Sequence, residues 1–238
     1  MQESQLLNSP DVSIVIPVFN EDESLPELEQ AIADALNPTF SYEVIFVDDG
    51  SSDDSWKVIT SLSEQKEMVR GIRFHHNYGK SVALQAGFEA SKGKYVVTMD
   101  ADLQDDPKEV PEMIKLLEHD GYDLVSGWKK ERHDPISKTI PSKFFNFVTR
   151  KVAGIDLHDF NCGLKAYRAE VVENIYLYGE LHRYIPMLAK REGYSRIVEK
   201  VVKHHPRKYG KTKFGFSRFM NGFLDLVTIT FVQRYLQK

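Results

Sequence analysis

Side chains two positions apart on a strand point to the same side. In VTMDADLQDD, residues 97 to 106, Asp100 and Asp102 can therefore aim two carboxylates at one point. Like charges that close raise each other's pKa unless a cation sits between them. A hard divalent ion such as Mg2+ or Mn2+ relieves that conflict, and it takes one or two carboxylates plus substrate phosphates. A D-x-D tripeptide alone is weak evidence for such a site. An EF-hand loop starting at Asp100 is excluded, because its glycine and glutamate positions hold Asp105 and Pro111. Asp105 and Asp106 stand before Pro107 and a helical pattern, where the expected task is favourable charge at a helix N-terminus.

A second acidic strand end strengthens the case. FVDDGSSDD puts Asp48 and Asp49 beside a glycine turn, and PVFNE follows the first strand. Three strand ends then carry polar groups on one rim, where ligands of open α/β sheets bind. Other phosphate sites fail. Gly79-Lys80-Ser81 looks like the end of a P-loop, but its upstream glycine position is Phe74, and no G-x-G-x-x-G occurs. His75-His76 and His204-His205 lack zinc-ligand spacing.

The elements that must hold these groups alternate. VSIVIPVF (Val12 to Phe19), YEVIFV (Tyr42 to Val47), Arg70 to His75, YVVTM (Tyr95 to Met99) and DLVS (Asp123 to Ser126) predict strands, and the near-continuous apolar runs suit a parallel sheet covered on both faces. Between the first two, Ser24 with Glu27 forms a capping-box pattern ahead of Leu25, Leu28, Ile32 and Leu36 at helical spacing. SSDDS offers N-caps for a helix through Trp56, Ile59 and Leu62, and a further helix is expected near Ser81 to Ala90. Phe160 to Arg168 and Arg196 to His205 read as late strands. The alternation predicts an α/β fold with right-handed crossovers.

Composition sets the class. A chain of 238 residues, 42% hydrophobic and 28% charged, has ample material for a core and the balance of an ordinary soluble protein. Cys162 is the only cysteine, which excludes an intramolecular disulfide and fits a reducing compartment. MQESQLLNSPD has no basic n-region and no long apolar stretch, so no signal peptide is expected, and no window of 18 apolar residues spans a bilayer. The net charge of -4 and the lack of an aromatic stacking platform among the basic residues argue against nucleic acid. Charge is unevenly spread, however. From Lys200 to Leu224 there are seven Lys or Arg and no acidic residue, and a basic segment also covers 129–150.

IVIPVFNE, VDDGSSD, HNYGKSVALQAGFEASKGKYVVTMDADLQDDP and DFNCGLKAYR together resemble a family-2 glycosyltransferase of the GT-A fold. More narrowly they resemble the polyprenyl-phosphate group, which includes dolichol-phosphate mannose synthase and undecaprenyl-phosphate glucosyltransferases. The likeness runs from about Val12 to Phe214. It implies an α/β GT-A fold with a mostly parallel sheet, a nucleotide-diphosphate sugar donor, Mg2+ or Mn2+, and a lipid phosphate acceptor. It implies that Pro17, Phe19 and Glu21 face the nucleotide, and that Asp49, with Asp48 beside it, reads the base. Asp100, Ala101 and Asp102 match the metal and ribose-diphosphate motif, and Gln104 the donor-side position after it. Asp159 falls where inverting relatives keep a catalytic carboxylate. Arg207, Thr212 and Lys213 match the R-x-x-G-x-[ST]-K segment that closes over the phosphates, with Gly210 and Lys211 between them. His182 and Arg183 match a motif on the acceptor side, where Thr212 is also expected.

Residues 1–215 are accordingly expected to form the catalytic domain, and 216–238 an amphipathic juxtamembrane segment where relatives continue into transmembrane helices. The basic run would draw the chain to an anionic leaflet at about 1 kcal/mol per Lys or Arg. Phe144, Phe145 and Phe147 would shelter the prenyl chain or pack inside. The expected location is the cytoplasmic face of the inner membrane, in cell-envelope synthesis, with a homo-oligomer left open. UDP-glucose or a related UDP-hexose is the expected donor, ahead of GDP-mannose. Two rivals remain: transfer to a saccharide hydroxyl, for which the processive Q-x-x-R-W motif is missing, and a non-catalytic nucleotide-sugar binding module.

Overall fold

The structure is a computed structural model, and it describes residues 9–130, 146 and 148–209. The strands are β1 (Val12–Val18), β2 (Tyr42–Asp48), β3 (Val69–Arg73), β4 (Tyr95–Thr98), β5 (Leu124–Trp128), β6 (Lys165–Arg168) and β7 (Ile197–Val201). The helices are α1 (Leu25–Leu36), α2 (Ser55–Gln65), α3 (Lys80–Ala90), α4 (Val110–His119), α5 (Ala169–Glu173) and α6 (Ile185–Arg191). Short 3-10 turns cover Pro107–Glu109 and Leu181–Tyr184.

The strands form one sheet in the order β3-β2-β1-β4-β6-β5-β7. All neighbours are parallel except β6, which runs antiparallel to both β4 and β5. Period-2 alternation divides the core. Val12, Ile14, Ile16 and Val18 of β1 pack on one face with Leu28 and Ile32 of α1, Ile59 of α2 and Met113 and Leu117 of α4. Val15, Ile45 and Val96 pack on the other with Leu84 and Phe88 of α3, Val171 of α5 and Leu188 of α6. The run IVIPV is continuous because both of its sides are dry.

β1 pairs β4 only from Val12 to Val15, yet pairs β2 through Val18. The carboxyl end of β1 thus stands clear of β4, and Pro17, which has no N–H to give, lies where no β4 partner exists.

Several local expectations change. Ser24 makes no capping box: its hydroxyl donates to Ala101 O at 2.6 Å and Glu21 O at 2.8 Å, tying α1 to the acidic loop. Asp105 is no helix-terminal charge. It is 2% exposed, paired with Lys129 and bridged to His204, while Asp106 alone caps the turn by accepting from Lys108 N at 3.0 Å. The late strands are shorter than read, because 159–163 is a loop ahead of β6 and 202–205 leaves β7. Thr212, Lys213, Gly210, Lys211, Phe144, Phe145, Phe147 and the segment 216–238 lie outside the described residues. Among the described residues no helix is long and apolar enough to cross a membrane.

Candidate active site

The carboxyl ends of β1, β2 and β4 lie side by side, so the loops after them share a rim. Asp102 is 9% exposed. Its Oδ2 meets Arg207 at 2.5 Å, and its Oδ1 accepts from Gln104 N at 3.1 Å. The same guanidinium lies 3.2 Å from Glu21, after β1. Arg207 therefore ties the first strand end to the fourth from near the far end of the described chain. Asp100 Oδ1 is ion-paired with Lys80, the first residue of α3.

The two carboxyls, two positions apart, are driven in opposite directions. Burial works against charge on Asp100, but the Lys80 and Lys129 ammoniums outweigh it and hold that carboxyl well below the usual range. Its side chain remains 32% exposed. Burial, and then the Asp100 charge, push Asp102 up to about 6 against the pull of Arg207. One guanidinium does not offset that burial and repulsion at Asp102, which fits a hard cation on carboxylate oxygens. Among the described residues no three His, Cys, Asp or Glu side chains gather to hold an ion. Asp100 and Asp102 would hold it together with oxygens of a ligand.

The segment after β7 is bound along this rim. His205 N donates to Gln104 O at 2.9 Å, and Gln104 Nε2 donates to His205 O at 3.3 Å. His205 lies 3.3 Å from Asp106, and Lys208 pairs with Glu27 at 2.6 Å. Glu27 thus serves this segment, not a capping box.

The other named positions have definite places. Ala101 is buried and gives its carbonyl to Ser24. Pro17 and Phe19 are half-buried at the end of β1. Asp48 is fully buried and accepts from Ser51 N at 3.0 Å, with Arg73 3.6 Å from Oδ2. Asp49 accepts from Tyr78 N at 2.7 Å and Gly79 N at 2.9 Å, which fixes the turn that starts α3. Gly79 holds a φ of 95° there, a conformation other residues rarely adopt. His182 N donates to Ser81 Oγ at 3.0 Å, and that hydroxyl lies 2.9 Å from the ring Nδ1. Burial and the nearby Lys80 charge hold His182 well below its ordinary value, so the ring is neutral. Arg183 pairs with Glu180 at 3.0 Å. Asp159 is 1% exposed and accepts from Asn161 N at 3.1 Å.

Three lysines escaped sequence reasoning. Lys80 was visible only as a failed P-loop, Lys129 as one member of a basic run, and Lys165 as a letter inside DFNCGLKAYR. Their signal is a half-buried or buried ammonium held by carboxylate or carbonyl oxygens distant in sequence, which has no local pattern.

Glycosyl transferase family 2 matches residues 13–176, more than half of the chain. The chain belongs to this family. It is 38% identical over 238 residues to the dodecaprenyl-phosphate galacturonate synthase of Rhizobium johnstonii, covering 96% of this chain and 69% of that protein. It is 39% identical over 220 residues to an undecaprenyl-phosphate 4-deoxy-4-formamido-L-arabinose transferase of Shewanella sediminis, covering 91% of this chain and 66% of that protein. The chain thus spans about two thirds of the length of these relatives. Its fold is that of glucosyl-3-phosphoglycerate synthase from Mycobacterium tuberculosis in complex with Mn2+ and UDP-glucose (TM-score 0.66, 20% identity, 98% of this chain and 81% of that one). A mannosyltransferase from Pyrobaculum calidifontis in complex with GDP-Man and Mn2+ shares it too (TM-score 0.67, 19% identity, 97% and 65%). The glycosyltransferase GT-A fold expected from sequence is therefore the observed one.

Proposed function

We propose that this family-2 glycosyltransferase moves a sugar, with inversion, from a nucleotide-diphosphate donor to a polyprenyl phosphate at a membrane surface. The observation that carries the reading is Arg207 bridging Glu21 and Asp102 at the carboxyl ends of β1 and β4. It gathers acid and base at the rim where α/β folds bind nucleotides. Both curated relatives act on polyprenyl phosphates by name, which supports the acceptor class.

The chemistry follows from charge. As the sugar leaves, negative charge grows on the nucleoside diphosphate. Asp100 and Asp102 would hold a divalent cation, Mg2+ or Mn2+, which supplies positive charge to that leaving group. Arg207 would release Asp102 and turn to the phosphates, with Lys213 and Thr212 as further candidates from the closing segment. Pro17, Phe19, Glu21, Asp48, Asp49, Ala101 and Gln104 are the proposed donor contacts. The acceptor is already an anion, so its oxygen needs little deprotonation. Asp159 would orient it or take a residual proton. His182 and Arg183 are the proposed acceptor side. Residues 1–215 would be the catalytic unit, and 216–238 with the basic run would rest on the cytoplasmic face of the inner membrane.

The donor is proposed to be a UDP-sugar. The test is a panel of radiolabelled UDP-glucose, UDP-galacturonate, UDP-4-deoxy-4-formamido-L-arabinose and GDP-mannose, each with undecaprenyl phosphate and Mn2+ or Mg2+. Label passing into organic solvent with one donor supports the reading. Label that stays in the aqueous phase with every donor contradicts it.

A further inference from the structure

Lysine is almost never fully buried unless it is paired. Lys165, the first residue of β6, is 3% exposed. It lies opposite Thr98 of β4 and Ser126 of β5, on the sheet face that also carries Tyr167. Its ammonium donates to two carbonyls of the preceding loop, Phe160 O at 3.1 Å and Cys162 O. Burial pulls its pKa below the ordinary lysine value, against the opposing charges of Asp159 and Asp100.

The loop 159–163 is bonded at each of its residues. Phe160 N donates to Asn146 Oδ1 at 3.3 Å, and Asn161 N donates to Asp159 Oδ1 at 3.1 Å. Thr98 Oγ1 donates to Gly163 O at 2.8 Å. One end of the loop carries Asp159. The other end presses on the rim: a Cβ added at Gly163 would fall 2.5 Å from Asp100 Oδ2. An apolar side chain in place of Lys165 would leave the Phe160 and Cys162 carbonyls without that donor in a dry interior.

We infer that Lys165 is a positioning residue of the transferase, gathering the carbonyls of loop 159–163 so that Asp159 and Asp100 stand at a fixed separation. The inference rests on the donor-rim reading given under Proposed function. It gives a role to a buried cation that need not touch donor or acceptor.

The test uses Lys165→Met and Lys165→Arg in the full chain, with Asp100→Ala alongside. Nucleotide binding is read by calorimetry with UDP and, in parallel, GDP, each with MnCl2. Turnover is read per mole of nucleotide-binding sites, using the donor that the panel identifies. Lys165→Met is expected to keep nucleotide affinity within about threefold and to lose roughly 100-fold in kcat per site, the scale of a small misplacement of reacting groups. Lys165→Arg is expected to recover most of that loss. A lysine needed only for folding would lower melting temperature and the number of sites while turnover per site held, and that result overturns the inference. Should Lys165→Met fail to fold, Lys165→Ala, which removes the same donor and leaves room for water, takes its place, and wild-type kcat per site in that variant is equally decisive against it. If Asp100→Ala retains full turnover, the donor-rim reading falls and takes Lys165 with it. If Asp100→Ala is inactive while Lys165→Met turns over normally, only the role of Lys165 falls.

Discussion

The two halves of the sheet deliver residues to the rim by opposite routes. In β1, β2 and β4, which run parallel, the rim residues end or follow the strand: Glu21, Asp48 and Asp49, Asp100 and Asp102. β6 runs the other way, and its first residue, Lys165, pairs with the last residue of β4, Thr98. Its contribution to the rim therefore precedes the strand, in the loop 159–163. One reversed strand places an amino-terminal loop beside three carboxyl-terminal ones. The first half brings acid and the second half brings the half-buried Lys129 and the buried Lys165, although Lys80 and Arg207 show that the division is not complete.

The strongest way to break this comparison is to remove the link between its ends. Arg207→Met should lower kcat by about 100- to 1,000-fold, the cost of losing one preorganised charge at the leaving group. In the absence of nucleotide the same variant should bind Mn2+ more tightly than wild type, because Asp102 loses its competing guanidinium. Steady-state kinetics and a manganese titration read the two effects separately. Unchanged turnover would confine Arg207 to holding the segment in place.

A smaller effect probes the seam between the halves. Gly163→Ala puts a methyl group 2.5 Å from Asp100 Oδ2 and 2.6 Å from its Cγ. The backbone φ there is outside the left-handed region, so the strain falls on the carboxylate. kcat/KM should drop by roughly 10- to 100-fold with little change in melting temperature. A normal kcat/KM would mean that the seam does not set the Asp100 position.

The least costly probe reads the dryness of the second half without mutation. Cys162 is 2% exposed, and burial pushes its thiol from 9.0 up to about 12. At pH 8 a thiol-directed aromatic disulfide should leave the native protein unlabelled and label it fully in denaturant. The folded state keeps this proton where the unfolded state has lost it. The thiol's contribution to stability is therefore whole below pH 9.0 and declines as pH rises from there to about 12. Rapid labelling at pH 8 would show the loop opening to solvent.

How much of this was legible in the sequence follows from the same contrast. IVIPV, YEVIFV and YVVT declare buried parallel strands, and the acids come directly after them, so site and element lie within one stretch of chain. Asp100, Asp102 and Glu21 could be placed on one rim for that reason. The reversal of β6 has no local mark: KAYR reads alike in either direction, and its partners in β4, from Thr98 with Lys165 to Tyr95 with Arg168, are 67 to 73 residues apart. The capping box at Ser24 misled because its hydroxyl is held by donating to Ala101 O, far along the chain, and to Glu21 O, and accepts from no α1 N–H, while Glu27 pairs with Lys208. Asp105 misled in the same way, since Lys129 and His204 reach it only after folding. Local patterns foretold what local bonding decides.

The central claim is that Asp100 and Asp102 hold a divalent cation together with the donor's diphosphate. Manganese electron paramagnetic resonance on the full chain, with UDP or GDP added, tests it most directly in wild type, Asp100→Asn and Asp102→Asn. The account predicts one nucleotide-dependent Mn2+ per chain in wild type and none in either variant. Undiminished nucleotide-dependent binding in both variants would contradict it.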